Sequence, residues 1–417
     1  MAQTSPCDSR VFPWLSTDFE KQVGEMSASP AVLVTGSAGH LGEALVRVLT
    51  KDPQLVAADP DLFRQFPEGF AFPSKVLGLD KHPSEFTHIV MDITSTDIDE
   101  WDNLSATLEK SNVKVILHTA TLHKPHIEKY SKDAFVQVNV SGTLRLLEAA
   151  VAAGVSVFVL TSTTSTFGHA IPRGQDASTT NTSAVPIDET VAPLPRNIYG
   201  VTKLGAENMV YMFHQTCPRL HCAILRVSRF FQEDDDNEQV AAAYDDMNLK
   251  AMEYLYRRAD ISDMVVAHGL AMHNLLLDAK SNQKGFCETF VVSAPPPFFG
   301  ERDAATIAHQ DEGRELCRKL SSADGVLDAL SVASEAGGLR AAVDSEFKRR
   351  GWKFFPEGLD RVYLPRKIMD RWGWKPRYTF QKVIAALAQQ EDVSDKEATR
   401  QRVISPLAMI IGKKPYR

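Results

Sequence analysis

The stretch VLVTGSAGHLGEALVRVL, residues 32–49, constrains the fold of this chain more than any other segment. An apolar, β-branched run is followed by three glycines, Gly36, Gly39 and Gly42, and then by an apolar repeat with helical spacing. A strand, a glycine turn and a helix in this order can hold a pyrophosphate, because the free N–H groups and the dipole at the start of a helix attract an anion. The same order also occurs in purely structural turns, and the glycines alone do not separate the two.

Short apolar runs alternate with helical patterns along the next two hundred or so residues. The runs are KVLGLD, HIVMDI, VKVILHTA, VSVFVLTS and CAILRVSRFF. Strands that alternate with helices indicate right-handed crossovers and a mostly parallel sheet. We therefore expect the α/β class, with a Rossmann-type doubly wound parallel sheet and a smaller C-terminal substrate-binding domain.

Changes of composition along the chain suggest its organisation. Residues 1–29 resemble an N-terminal arm, and the proline- and phenylalanine-rich residues 51–74 an ordered surface insertion. After residue 231 the sequence becomes acidic and helical. We expect a dinucleotide-binding domain at 30–231 that carries the catalytic residues. Residues 232–417 should be mainly a substrate-binding domain, with segments near 259–294 returning to the first domain.

Charge and cysteine content exclude several classes of protein. The formal net charge of −7 gives no reason to expect nucleic acid or an anionic membrane as a partner. Five scattered cysteines match no zinc or redox spacing, and no metal site is expected. The N-terminus lacks the pattern of a signal peptide, and no apolar run is long enough to span a bilayer. We expect a soluble cytoplasmic protein.

The end of the second predicted strand indicates which dinucleotide the turn would bind. KVLGLD ends in Asp80, and a carboxylate there can bind the two adenosine ribose hydroxyls of NAD while repelling the 2′-phosphate of NADP. Asp80 comes later than the usual spacing of about 20 residues, because the insertion separates the helix from this strand. Lys81 and His82 follow at once and could instead bind a phosphate, so NAD is favoured over NADP without NADP being excluded.

A second motif, in NIYGVTKLGAENMV, carries the predicted chemistry. Tyr199 and Lys203 are four residues apart and share one face of a helix. The stretch VFVLTSTTSTFG, which ends a preceding strand, delivers the hydroxyl side chains of Ser162, Thr163, Thr164 and Ser165 to the carboxyl edge of the sheet, where ligands bind in such folds. Lowering the pKa of a tyrosine from about 10 to about 7 requires about 4 kcal/mol of preferential phenolate stabilisation. A neighbouring ammonium group and a cationic nicotinamide ring can supply it.

With these motifs the sequence resembles the extended short-chain dehydrogenase/reductases, in the NAD-dependent epimerase/dehydratase group, over about residues 31 to 270. A weaker similarity at 363–384 matches the late strand, turn and final helix of that family. The resemblance implies an NAD(P)-dependent enzyme that transfers hydride between the nicotinamide and a secondary alcohol or ketone, acting as a homodimer on a small molecule. It assigns catalysis to Thr163, Tyr199 and Lys203. It assigns cofactor binding to Gly36, Ser37, Gly39, His40, Leu41, Gly42, Asp80, Asp92, Ile93, Thr119, Ala120, Thr121, Asn139, Tyr199 and Lys203.

Departures from the family pattern bear on the substrate. Dehydratases of the family place an acidic pair after the catalytic threonine, where this chain has Thr164 and Ser165, which disfavours a 4,6-dehydratase. Arg229 stands where sugar-nucleotide epimerases have an asparagine that contacts the diphosphate. We expect a small alcohol or ketone as substrate. A nucleotide-sugar 4-epimerase (UDP-glucose 4-epimerase-like) and a non-catalytic NAD-binding regulator are the alternatives. The predicted substrate-binding residues are His123, Lys124, Thr164, Arg229 and Arg258.

Overall fold

The structure is a computed structural model, which describes residues 30–171, 183–233, 238–281, 285–300, 302–332, 338–355 and 358–413. The predicted N-terminal arm, residues 1–29, lies outside the described residues.

Two sheets contain all the strands of the described residues. The strands are β1 (Ala31–Thr35), β2 (Lys75–Asp80), β3 (Ile89–Val90), β4 (Val113–His118), β5 (Val157–Thr163), β6 (Val185–Ile187), β7 (His221–Val227), β8 (Cys287–Val292) and β9 (Arg361–Tyr363). Seven of them form one sheet in the order β3-β2-β1-β4-β5-β7-β8, and all the pairs in it are parallel. The other two, β6 and β9, pair separately.

Helices flank the main sheet and make up most of the C-terminal region. The α-helices are α1 (His40–Leu49), α2 (Pro53–Ala58), α3 (Pro60–Phe63), α4 (Ile98–Lys110), α5 (Lys132–Val136), α6 (Gly142–Ala152), α7 (Ile198–Thr216), α8 (Glu238–Ala243), α9 (Asp246–Glu253), α10 (Ile261–Lys280), α11 (Ala304–His309), α12 (Asp311–Lys319), α13 (Ala323–Val332), α14 (Gly338–Arg350), α15 (Arg366–Trp372), α16 (Phe380–Ala388), α17 (Lys396–Val403) and α18 (Pro406–Ile411).

Both faces of the main sheet are buried, which is why its strands are rich in apolar residues. In β1, Val32 and Val34 belong to the hydrophobic cluster that contains α1 and α10, whereas Leu33 belongs to the opposite cluster with α4, α6 and α7. The predicted doubly wound sheet is confirmed. The strand order reverses between β1 and β4, and ligands of such folds bind in the crevice at the carboxyl ends of these strands.

The insertion at 51–74 is ordered and packs on the first face of the sheet. Its phenylalanine rings contact one another, and Phe70 also contacts His273 of α10. Asp59 accepts two hydrogen bonds, of 2.7 and 2.6 Å, from the guanidinium of Arg377. This buried ion pair ties the insertion to the C-terminal region.

The region after residue 231 returns to the main sheet more than once. Helix α10 packs against β5 and β7, and β8 extends the sheet as its edge strand. Helix α18 packs against α1, α2 and α10, so a segment well beyond residue 294 also joins the first domain. The apolar core is continuous across residue 231, so this position does not separate two independently packed cores. We therefore propose that the division at residue 231 is one of function.

Three further findings concern the described residues only. No helix among them is long and apolar enough to cross a membrane. They contain no group of three or more histidine, cysteine or acidic side chains that could hold a metal ion. The four cysteines they include, Cys217, Cys222, Cys287 and Cys317, are free thiols.

Candidate active site

The glycine turn connects β1 to α1 and needs its first and third glycines for different reasons. Gly36 has a φ of 73°, a left-handed conformation, and a Cβ there would lie 2.8 Å from the backbone nitrogen of Ala120. A Cβ on Gly42 would lie 1.9 Å from the carbonyl oxygen of Gly36. Both positions therefore require glycine for the fold itself.

Gly39, the second glycine, is not required by the protein's own packing. Its backbone is extended, and a Cβ there would meet only the Gly36 carbonyl oxygen, at 3.2 Å. Gly39 is also the N-cap of α1, and no side chain among the described residues caps that end. The first N–H groups of a helix have no partner within the helix. The bare backbone at Gly39 thus leaves room for an anion beside these donors.

The start of α1 opens into a cavity of about 720 Å³ at the carboxyl ends of the strands. The predicted residues in its lining are Gly36, Gly39, His40, Leu41, Gly42, Asp80, Asp92, Ile93, Thr119, Ala120, Thr121, His123, Lys124, Thr163, Thr164, Tyr199 and Arg229. Such a volume lies in the range of ligand pockets. The structure brings residues from distant parts of the sequence to one site.

One end of the cavity has the donors and acceptors expected for an adenosine. The Asp80 carboxylate accepts hydrogen bonds from the backbone N–H of Ala38, at 3.1 Å, and of His82, at 2.9 Å. Asp80 therefore also shapes the glycine turn, and each of its oxygens keeps a lone pair for a ligand hydroxyl. Asp92 accepts from Thr94, and Ile93 beside it is buried.

Residues 119–121, after β4, are held by their neighbours. The Thr119 hydroxyl donates to the Thr35 carbonyl, at 2.7 Å, and Thr121 donates to the Asn139 side chain, at 2.9 Å. Asn139 itself donates to the carbonyl of Leu122 and to the hydroxyl of Thr202 in α7. It therefore fixes the loop after β4 against the helix that carries Tyr199.

Thr163 and Tyr199 meet at the centre of the cavity. Thr163 is the last residue of β5, and Tyr199 lies in the first turn of α7, whose N-cap Asn197 accepts from the N–H of Gly200. The side chains of Thr163 and Tyr199 are close enough for the threonine to lower the pKa of the tyrosine hydroxyl. Lys203 follows one turn later on α7 and is 1% exposed. Thr163 and Tyr199 are thus neighbours in the cavity lining, and Lys203 lies one helical turn from Tyr199, behind that lining.

Burial shifts the pKa values of the two ionisable groups in opposite directions. Burial raises the pKa of Tyr199 to about 12, and the Thr163 side chain opposes this only in part. Burial lowers the pKa of Lys203 to about 8, although Glu207 raises it. At neutral pH the protein alone holds a neutral tyrosine beside a charged lysine.

Four predicted residues are absent from the cavity lining formed by the described residues. Ser37 faces the second strand and hydrogen-bonds with Thr87, at 3.0 Å. Asn139 and Lys203 lie just behind the lining. Arg258 differs most clearly from the prediction, because its buried guanidinium donates to Glu253, at 2.9 Å, and to the Phe231 carbonyl, and the residue is not part of the cavity lining.

Several residues in the lining were not predicted as site residues. Arg257 forms an ion pair with Glu253, with a nitrogen–oxygen distance of 2.7 Å, and Arg361 forms a two-pronged ion pair with Asp360. Phe231 stacks on His123 with ring centroids 4.9 Å apart. His40 hydrogen-bonds with Glu233, at 2.6 Å, which joins the glycine turn to the segment after β7. The unpredicted residues at this part of the lining are Arg196, Arg257, Phe230, Phe231, Arg361 and Tyr363.

The sequence carried a signal for only some of these residues. Arg257 is adjacent in sequence to the predicted Arg258, and Arg257 is the one of the two that lines the cavity. Arg361 lies just before the similarity at 363–384, and Tyr363 is the first residue of that similarity. Nothing in the sequence shows that β9 pairs with β6, which is how these residues reach the cavity.

Comparisons with known proteins agree with this architecture. The model of the "NAD dependent epimerase/dehydratase family" matches residues 32–272, more than half of the chain. A UDP-glucose 4-epimerase of Rhizobium meliloti is 36% identical over 173 residues, which cover 41% of this chain and 43% of that protein. A decarboxylating sterol-4-alpha-carboxylate 3-dehydrogenase of Saccharomyces cerevisiae is 26% identical over 306 residues, 69% of this chain and 77% of that protein. The chain spans less than half the length of the curated UDP-glucose 4-epimerases it matches.

Solved structures support the fold. A short-chain dehydrogenase/reductase superfamily protein from Agrobacterium tumefaciens, solved with bound NAD, superimposes with a TM-score of 0.51 at 20% identity. The superposition covers 89% of this chain and 98% of that one.

Proposed function

The chain belongs to the NAD-dependent epimerase/dehydratase family, and from that premise we propose that it is an NAD-dependent enzyme that transfers hydride between the nicotinamide and a secondary alcohol or ketone. One observation carries the proposal. Thr163 and Tyr199, whose side chains interact with each other, line the same cavity as the open N-terminus of α1. A non-catalytic NAD-binding protein would not need this pair. The variant that removes the Tyr199 hydroxyl tests the proposal.

The residues present fit a dinucleotide. The space beside Gly39 and the start of α1 suits the pyrophosphate, and Asp80 suits the adenosine ribose. Lys203 lies behind the cavity lining, and we propose that it reaches the nicotinamide ribose when the cofactor is bound. NAD, when bound, supplies the carbon that accepts or returns the hydride. The chain's own residues hold the substrate alcohol and move its proton.

Proton transfer is the part that the protein performs. The Thr163 hydroxyl orients the substrate oxygen, and Tyr199 takes or gives its proton. Moving the pKa of Tyr199 from about 12 to near neutrality requires about 7 kcal/mol of phenolate stabilisation. The Lys203 ammonium contributes part of it, and the positive charge of the oxidised cofactor contributes the rest. The acid-base function of Tyr199 therefore depends on a bound cofactor.

We predict that NAD(H) binds at least about tenfold more tightly than NADP(H), a difference of about 1.4 kcal/mol. The reason is the repulsion between the Asp80 carboxylate and a 2′-phosphate in a partly desolvated site. Calorimetric titration of the purified protein with both cofactors measures it. Tighter binding of NADP(H) would instead assign phosphate recognition to Lys81 or His82, which also line the cavity.

For the substrate, we propose a small alcohol or ketone and keep a nucleotide-sugar 4-epimerase as the second candidate. Two cavity arginines, Arg229 and Arg257, favour the second, because they could bind a diphosphate. Against it, the buried carboxylate of Glu253 pairs with Arg229, Arg257 and Arg258. Burial opposes the ionisation of this carboxylate, but the three arginines outweigh burial and lower its pKa to about 2. Much of their positive charge is therefore compensated within the protein.

Sugar nucleotides separate the two candidates. We expect that UDP-glucose, UDP-galactose and dTDP-glucose do not raise the melting temperature of the NAD-loaded protein and are not converted. Thermal shift assays and product analysis test this expectation. If one of them stabilises the protein and the stabilisation disappears in Arg229→Ala, the epimerase becomes the preferred function.

We also propose a homodimer and a cytoplasmic location. Val201 and Met212 lie three turns apart on one face of α7 and are 50% and 47% exposed, which supports an interface there. Cys222 and Cys287 are paired positions of β7 and β8 and remain thiols, which supports a reducing compartment. Light scattering that reports a monomer, or secretion of the tagged protein, would contradict these proposals.

A further inference from the structure

A buried group of charges lies directly behind the catalytic lysine. Glu207 follows Lys203 by one turn of α7, and both are 1% exposed. The Glu207 carboxylate accepts hydrogen bonds from Nε of Arg226, at 3.1 Å, and from Nη2, at 2.7 Å. It also accepts one from the hydroxyl of Ser162, at 2.5 Å. Three donor atoms, two from Arg226 on β7 and one from Ser162 on β5, therefore fix one carboxylate.

We propose that Glu207 is a positioning residue for the hydride-transfer site, which keeps Lys203 protonated and fixes α7 against the strand end that carries Thr163. The proposal rests on the proposed function, because it assigns Lys203 a role that requires its charge. It adds a residue outside the cavity, since Glu207 acts only through Lys203 and Ser162.

The surroundings of Lys203 show why it needs an anion. Burial favours the neutral amine, and Arg226 on β7 brings a second positive charge behind the site. Tyr199, on the same helix, is neutral in the protein alone. His118 on β4 is neutral as well, because burial and the charge of Lys203 lower its pKa to about 3. Among these groups Glu207 is the one that favours the charged lysine.

The second contact of Glu207 acts on geometry. Ser162 immediately precedes Thr163 in β5, and its hydroxyl is held by the Glu207 carboxylate. Arg226 is paired with Ser162 in the register of β5 and β7. The carboxylate therefore connects α7, which carries Tyr199, to the adjacent strands β5 and β7, beside Thr163.

Two substitutions that remove opposite charges test the proposal. Glu207→Gln keeps the size of the side chain and one acceptor oxygen but removes the negative charge. Arg226→Gln removes the positive charge and leaves the Glu207 carboxylate to act on Lys203 alone. The pKa of Lys203 is measured in the cofactor-free protein by NMR of 13Cε-labelled lysine, with the signal assigned by its loss in Lys203→Arg. Turnover is then measured across the pH range with NAD and a substrate.

We expect Lys203 to titrate about 1–2 pH units lower in Glu207→Gln and higher in Arg226→Gln than in the wild type. The turnover of Glu207→Gln relative to the wild type should fall from near unity at low pH to about 10- to 100-fold lower at high pH. A structural defect alone would lower turnover in both variants equally at every pH. Unchanged or equally directed titrations in the two variants would overturn the proposal.

The matched control is Asp59→Asn, which removes a carboxylate from the buried pair with Arg377 and leaves the groups around Lys203 unchanged. We expect it to lower the melting temperature without moving the titration of Lys203. If Glu207→Gln does not fold, Arg226→Gln alone decides, because a lower or unchanged pKa of Lys203 in that variant contradicts the proposal. Failure of the proposed function would be recognised separately, by a Tyr199→Phe variant that keeps its turnover.

Discussion

Replacing Tyr199 with phenylalanine should lower turnover by a factor of about 10² to 10⁴, the usual contribution of a positioned acid or base. The substitution removes one hydroxyl, from a residue that interacts with the Thr163 side chain and lines the cavity. The ring itself packs in a small apolar cluster with Leu122 and Phe135, and phenylalanine preserves that packing. Binding of NAD should therefore stay within a few-fold of the wild type. Steady-state kinetics on an identified substrate, together with calorimetry, measure both quantities.

Tyr211 provides a matched control on the same helix. Its hydroxyl is hydrogen-bonded to Thr289, at 2.7 Å, away from the main cavity. Tyr211→Phe thus loses the same atom and one hydrogen bond and should keep its turnover. Lys203→Ala should weaken both NAD binding and turnover, since the lysine acts on both. Full activity of Tyr199→Phe would refute the catalytic assignment.

The fold was predictable because its signals are local. The strands β1, β2, β4, β5 and β7 of the main sheet are each rich in apolar residues, and the glycine turn marks the start of the first crossover. Residues that act through their own position along the chain, such as Gly36, Asp80 and Tyr199, could be placed from these signals. The insertion delayed Asp80 in the sequence but did not change the pairing of β2 with β1.

The substrate end of the cavity was not predictable in the same way. Whether Arg257 or Arg258 faces the cavity depends on the short stretch after α9. In this stretch Arg258 forms an isolated bridge with Arg229, and its side chain donates a hydrogen bond to Glu253. Arg361 reaches the site only through the pairing of β9 with β6, which joins segments more than 170 residues apart. Long-range pairing of short strands leaves no periodic pattern in the sequence.

The glycine turn allows its structural and its ligand-binding roles to be separated by two substitutions of the same kind. Gly42→Ala should lower the free energy of unfolding by about 3 kcal/mol, because its Cβ would lie 1.9 Å from the Gly36 carbonyl oxygen. Gly39→Ala should change that free energy by less than about 0.5 kcal/mol. Its backbone is extended, and its Cβ would approach only one protein atom, at 3.2 Å.

For NAD binding we expect the opposite order: Gly39→Ala, the variant with the smaller effect on stability, should have the larger effect on NAD binding. A methyl group on Gly39 occupies the space beside the first N–H groups of α1, where we place the pyrophosphate. Losing one or two charge-assisted hydrogen bonds there costs about 3 kcal/mol, which weakens NAD binding about 100-fold. Denaturant unfolding and calorimetric titration of both variants give the four values needed. A Gly39→Ala protein that is stable and binds NAD as tightly as the wild type would show that the turn serves only the fold. A stable protein that has lost NAD would show that this glycine is kept free of a side chain for the ligand, because no atom of the chain itself demands it.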